Sequence, residues 1–319
     1  MTSPQTSDRI VFHDVSKFYG EVLGVNKVNL EVAPGLTGLV GPNGSGKSTL
    51  MHLMTGLLRP SRGEISVLGV SPGRPEQLFH LVGYCTQYDN FPNGSTGLSF
   101  LRFALALHGY SNREADERAW AALDRVGLSD AANRRIAGYS KGMRQRVKLA
   151  HAHCHDPRVL VLDEPLNGLD PMGRAEMIDL FTDLAKEGRH IIVSSHILHE
   201  VDVISDGVIM IHGGAIVAEG GIREVRGEIT SHPIQVLIRC DQPHAVASRI
   251  FELEHVVEAR MIERDGLLVR TRDAADFFTQ FNRIVIDTGV VVETVVPADE
   301  SVHAVYDYLI GEGQGGGSA

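Results

Sequence analysis

Gly41-Pro42-Asn43-Gly44-Ser45-Gly46-Lys47-Ser48 decides how the rest of the chain is read. The segment fits G-x-x-x-x-G-K-[ST] without a gap. It follows the apolar run Leu36-Thr37-Gly38-Leu39-Val40 and precedes a helical pattern, Ser48 to Thr55, that ends near Gly56. Strand, glycine loop and helix in that order are the context that separates a phosphate cradle from a chance turn. The glycines let successive N–H groups point inward, and with the helix N-terminus they form an anion nest. Lys47 adds a point charge, and the hydroxyl of Ser48 suits Mg²⁺.

Outward from this loop, Arg158 to Leu162 reads as a short apolar strand that ends in Asp163-Glu164. His190 to Ser195 is another, ending in His196. Unbroken apolar runs of this length suit a sheet covered on both faces, and the helical spacing of Met172 to Glu187 between them indicates an α/β domain with a largely parallel sheet. Carboxylates at a strand's C-terminal end open onto the same crevice as the phosphate loop. Asp163 is therefore the candidate to hold Mg²⁺, and Glu164 the candidate to position or deprotonate a water. Ile10 to Val32 reads as strands turning at Tyr19-Gly20. From about Asn90 to Leu149 the patterns are helical without strands, a helical insertion. After Gly220-Gly221 the order is β-α-β-β-α-β, the pattern of a ferredoxin-like sandwich. The domain expectation is 9–227, with the helical subdomain at about 90–149, then a small α+β domain at 228–311 and a flexible glycine-rich tail at 312–319.

Composition limits the function classes. Lys plus Arg is 30 and Asp plus Glu is 40 among 319 residues, a net charge of −10, which argues against a broad nucleic-acid surface. Cys85, Cys154 and Cys240 are widely spaced and form no disulfide framework. No apolar run reaches the roughly 18–20 residues that cross a bilayer, and the first residues lack a signal-peptide pattern. The expectation is a cytoplasmic chain whose membrane role, if any, goes through a partner.

With these motifs placed, the sequence resembles the nucleotide-binding subunits of ABC transporters, from about Ile10 to Val225. The residues that carry the resemblance run in the family's order: Tyr19, Gly41 to Thr49, Gln87, Ser140-Lys141-Gly142-Met143 after Tyr139, Asp163-Glu164, Gly168-Leu169-Asp170, and His196. The resemblance implies a P-loop ATPase that binds ATP and Mg²⁺. Tyr19 would stack on adenine, and Gly41, Pro42, Asn43, Gly44, Ser45, Gly46, Lys47, Ser48 and Thr49 would hold the phosphates. Ser48, Gln87 and Asp163 would manage Mg²⁺. Glu164 would be the catalytic base, with Lys47 and His196 at the γ-phosphate. Ser140 to Met143 is the signature, which would serve the ATP of a second subunit, and Asp170 lies in the D-loop. Implied partners are an integral-membrane permease and a second copy of the chain or a paralogous ATPase, with no nucleic acid. The place would be the inner face of the cell membrane.

Departures from the commonest pattern narrow the branch. The signature is Tyr-Ser-Lys-Gly-Met rather than Leu-Ser-Gly-Gly-Gln, a form that resembles the branch pairing with ABC-2-type permeases, mostly exporters. Ser99 stands where many members carry Glu. The alternative reading keeps the ATPase but places it on nucleic acid or ribosomes. His151 and His155, at i and i+4, form a metal-like pair, but their position at the end of the signature helix favours a packed helix end.

Overall fold

A computed structural model describes residues 8–195, 205–221, 234–262 and 266–297, in two compact units that divide near residue 219. In the first unit, β1 (Ile10–Tyr19) and β2 (Val22–Val32) pair antiparallel across a turn at Gly20. β3 (Gly35–Val40) starts a second sheet, and β4 (Arg62–Val67) returns to β1, giving the order β2-β1-β4. The second sheet adds β5 (Val82–Cys85), β6 (Val159–Leu162), β7 (His190–Ser195), β8 (Gly207–His212) and β9 (Ala215–Gly221). Its order is β5-β6-β7-β3-β8-β9, and the pairings from β5 to β8 are parallel.

Two-residue periodicity assigns each strand of this sheet to two cores. Val159, Val161 and Ile192 face a core shared with the antiparallel sheet and with α1 (Lys47–Met54), which contributes Leu50, Met51, Leu53 and Met54. Leu160, Leu162, Ile191 and Val193 face the opposite core, with Leu101, Leu123, Val147 and Phe181. The apolar runs are continuous because both faces are covered. Burial of two faces also explains why the loop after β3 and the carboxylates after β6 are held on rigid strand ends.

The helical insertion is built from α3 (Gly97–Leu107), α4 (Asn112–Arg125) and α5 (Lys141–His153), after a short α2 (Pro75–Leu81) that precedes β5. Thr96 and Ser99 close a capping box on α3, so Ser99 does at N3 what Glu does more often. Ser111 and Glu114 do the same on α4. α5 starts at Lys141 because Ser140 is its N-cap and accepts from Met143 N. α6 (Pro171–Lys186) lies between β6 and β7 in sequence.

In the second unit β10 (Ile234–Cys240), α7 (Pro243–Ile250), β11 (Val256–Ile262), β12 (Gly266–Thr271), α8 (Ala274–Thr288) and β13 (Val292–Pro297) follow in that order. The sheet runs β11-β12-β10-β13 with antiparallel neighbours. Val236, Ile238, Leu267 and Val269 on alternate positions pack on Val246, Ile250, Phe277 and Phe281. The expected division at 227–228, the end of the expected small domain beyond residue 297 and the tail 312–319 lie outside the described residues, as does His196. The three cysteines are buried and none is in a disulfide. No helix among the described residues is long and apolar enough to cross a membrane.

Candidate functional site

The phosphate loop links β3 to α1. Gly44 and Gly46 have φ of 79° and 111°, the left-handed region that suits glycine. A Cβ on Gly46 would also lie 2.7 Å from the carbonyl oxygen of Gly24. No side chain caps α1 and no acidic residue occupies its first turn, so the positive end of its dipole is uncompensated within the helix itself. Lys47 is 7% exposed and donates through Nζ to the carbonyls of Gly41 and Pro42. Burial lowers its pKa, against the pull of Glu164 and Asp163, which raise it. Ser48 is exposed at the helix start. The hydroxyl of Tyr19 lies 3.2 Å from that of Thr49, so the exposed aromatic ring stands beside the loop.

The carboxylates enter from β6. Asp163 is 6% exposed, and burial raises its pKa. Its Oδ1 accepts from Ser194 Oγ at 2.8 Å, a bond that favours the charged form. Glu164 takes a left-handed backbone, φ 47°, which turns its side chain off the line of the strand. Its N–H donates to the same Ser194 Oγ at 2.8 Å. Its Oε2 accepts from Gln87 Nε2 at 3.2 Å and from Asn167 Nδ2. Thus Lys47, Gln87, Asp163 and Glu164, far apart in sequence, converge at the C-terminal ends of β3, β5 and β6.

A second group forms around the start of α5. Ser140 and Lys141 are exposed, with Gly142 and Met143 half-buried in the first turn. The stem of Lys141 crosses Gly168, where an added Cβ would meet its Cε at 2.8 Å. The lysine at a position more often held by glycine is thus accommodated by a glycine opposite it. Asp170 Oδ1 accepts from Gly173 N at 3.0 Å and caps α6.

Ser194 and Asn167 are the residues that motif reading passed over. The signal for Ser194 is chemical: Ser194 and Ser195 are polar and buried at the end of an otherwise apolar strand, and buried hydroxyls have partners. The His151 and His155 rings are packed within the fold. His155 Nε2 bonds the carbonyl of Val82, its ring stacks on His108 at 4.0 Å, and His151 stacks on Phe100. Among the described residues no group of three His, Cys, Asp or Glu side chains is placed to hold a metal ion.

The fold, the loop and the paired carboxylates are those of an ATP-hydrolysing nucleotide-binding domain. Comparison with known proteins agrees: residues 25–167 match the family model described as ABC transporter. An uncharacterized ABC transporter ATP-binding protein of Bacillus subtilis is 40% identical over 188 residues, 59% of this chain and 62% of that protein. A bacitracin transport ATP-binding protein of Enterococcus faecalis is 31% identical over 306 residues, 94% of this chain and 96% of that one. A daunorubicin/doxorubicin resistance ATP-binding protein of Streptomyces peucetius is 34% identical over 240 residues, with 75% and 73% covered. Among solved structures, an ATP-binding subunit of an ABC transporter superposes with a TM-score of 0.65 at 28% identity, over 69% of this chain and 93% of that one. A dimeric bacterial ABC transporter cassette gives 0.62 at 26% identity, over 67% and 99%. The chain belongs to the ABC transporter family, as an ATP-binding ATPase subunit.

Proposed function

We propose that the chain is the motor of a membrane exporter: two copies, or one copy and a paralogue, bind two ATP, close on them, and reopen after hydrolysis. The observation that carries this reading is the convergence of Lys47, Gln87, Asp163 and Glu164 on the phosphate loop. Lys47 and the loop N–H groups stabilise charge on the transferred phosphoryl group, and Glu164 orients the attacking water and accepts its proton as the bond between the β-γ bridging oxygen and the γ-phosphorus breaks. Tyr19 stacks on the adenine. His196 is assigned to the γ-phosphate by resemblance alone. The donor set of Ser48 hydroxyl, Asp163 carboxylate and Gln87 amide is hard oxygen chemistry that fits Mg²⁺, which would neutralise phosphate charge. Ser140 to Met143 at the start of α5 would face the ATP of the opposite subunit, since a helix N-terminus suits an anion, and Asp170 is assigned to the D-loop by resemblance alone.

Two observations favour a permease over nucleic acid or ribosomes. One is the relatives, which carry transport names. The other is a cavity of about 390 Å³ next to the Gln87 loop. Leu57, Phe79, Tyr88 and Leu107 line it and are 45–76% exposed, an apolar surface suited to a helix from a membrane partner. The chain would then sit at the inner face of the membrane through that partner. The domain division proposed is 9–227 for the ATPase and 228–311 for a ferredoxin-like unit. Purification from native membranes tests the reading: a co-purifying integral-membrane subunit is expected, whereas stable recovery with ribosomes or DNA instead would sink it.

A further inference from the structure

The Gln87 loop and the signature loop are joined by one chain of polar contacts. Lys148, 6% exposed on α5, donates through Nζ to the carbonyl of Gln87 at 3.0 Å and pairs with Asp89 Oδ1 at 3.1 Å. The other oxygen of Asp89 accepts from Arg144 Nε at 2.7 Å. Arg144 in turn donates through Nη1 to the carbonyl of Tyr139 at 2.6 Å, one residue before Ser140. A third side chain of the same helix, Gln145, donates to the carbonyl of Pro165 at 2.9 Å, beside Glu164. Arg144, Gln145 and Lys148 lie at i, i+1 and i+4, so α5 presents all three on the side that faces the two catalytic loops.

Asp89 is the centre of this arrangement, since it alone binds both cations. Burial works against its carboxylate, but the hydrogen bonds and charges of Arg144 and Lys148 outweigh that and hold its pKa below the usual value. The bonds are charge-assisted, and two of the bonds made by these cations end on backbone carbonyls, so the cluster ties the main chain of one loop to that of the other.

We propose that Asp89 is a positioning residue that couples the two nucleotide sites of the assembly, by transmitting movement of the Gln87 loop at one ATP to the signature loop that meets the other. The proposal rests on the two-subunit reading above. It has a physical source of asymmetry: Gln87 belongs to the chain's own site, Ser140 to its neighbour's, and Asp89 stands between them within a single helix–loop contact.

The test uses the full chain, with Asp89→Ala and the conservative Asp89→Glu. Three quantities are read: nucleotide affinity, the ATP dependence of turnover, and hydrogen exchange over 139–144 with and without ATP. In Asp89→Ala, turnover should fall by about tenfold, within the usual range of site–site coupling, and its dependence on ATP should lose sigmoidal character. Affinity for the first nucleotide should change by less than about twofold, and ATP should no longer protect 139–144. Asp89→Glu should restore part of both. Wild-type turnover and wild-type protection in Asp89→Ala overturn the proposal. So does a loss of affinity and turnover in step with a lower unfolding temperature, which would mark a merely structural residue. If the Glu164→Gln chain fails to associate on ATP, the two-subunit reading falls and the relay falls with it. If it associates, and adding Asp89→Ala leaves association and exchange unchanged, the relay alone falls.

Discussion

Glu164 and Ser194 share one hydrogen bond that fixes a backbone: the N–H of Glu164 donates to Ser194 Oγ at 2.8 Å while its φ is 47°. The same oxygen donates its own proton to Asp163 at 2.8 Å. One hydroxyl therefore sets the aim of both carboxylates, and the left-handed turn that it holds costs about 1 kcal/mol in a residue with a side chain.

Ser194→Ala should therefore lose more than a hydrogen bond. It removes the hydroxyl that the N–H of Glu164 and the buried carboxylate of Asp163 both bond, at a cost of about 1–3 kcal/mol. Denaturant unfolding should show that loss, and the rise in the Asp163 pKa should weaken turnover more below neutral pH than above it. Unfolding and pH profiles matching those of the wild type would remove the role given to Ser194.

Glu164→Gln keeps the side-chain size but removes the base. Turnover should fall by roughly a hundredfold or more, with ATP binding retained and the ATP-bound assembly trapped. Near-normal steady-state hydrolysis would show that another group takes the proton.

Acid should weaken the first unit through its stacked imidazoles. Phe79, His108 and His155 stack in series, with ring centroids 3.8 Å and 4.0 Å apart. Burial, then the neighbouring imidazoles, lowers the pKa of His108 from 6.5 to about 4; burial and His108 lower that of His155 to about 3. A lowered folded-state pKa means that the unfolded chain binds the protons first. Their contribution to stability is whole above about pH 6.5 and is lost progressively as the pH falls toward the folded values. His108→Phe keeps the stack and removes one such group, so its unfolding midpoint should fall less steeply from pH 7 to about 4.5. Parallel slopes for the two chains would contradict this.

The parts of the fold that a sequence reader finds are those with a strong local period or a fixed chemistry. The phosphate loop, the strands at 159–162 and 190–195 and the helices at 97–107 and 171–186 are of this kind. Five elements are weaker in sequence. β5 is four residues long and includes Gly83, where a Cβ would lie 1.8 Å from the carbonyl oxygen of Ala152. Helix α5 passes so close that only glycine fits, and glycine is what hides the strand. β4 has Arg62, Gly63 and Glu64 exposed, so only its last half carries a strand pattern. α2 is a two-turn helix with a single buried residue, Leu78. The hairpin of β8 and β9 follows a stretch in which polar residues interrupt the apolar run. In the site, motif reading finds the residues that gather at the phosphate loop. It passes over Ser194, Asn167 and Asp89, whose partners are other side chains and carbonyls and whose roles exist only once the strands are assembled.

The caps of α5 and α6 differ in a way that sorts the two helix starts by the charge they admit. Ser140 and Asp170 each accept one backbone N–H through a side-chain oxygen. A hydroxyl that accepts still owns a proton, so Ser140 can close its own helix and donate outward at the same time. A carboxylate in that place closes the helix equally well but has nothing to donate, and its charge repels an anion. The start of α5 is thus permissive to phosphate and that of α6 is not. Ser140→Asp should leave the helix as stable as before, by circular dichroism and thermal unfolding, while ATP no longer drives two chains together.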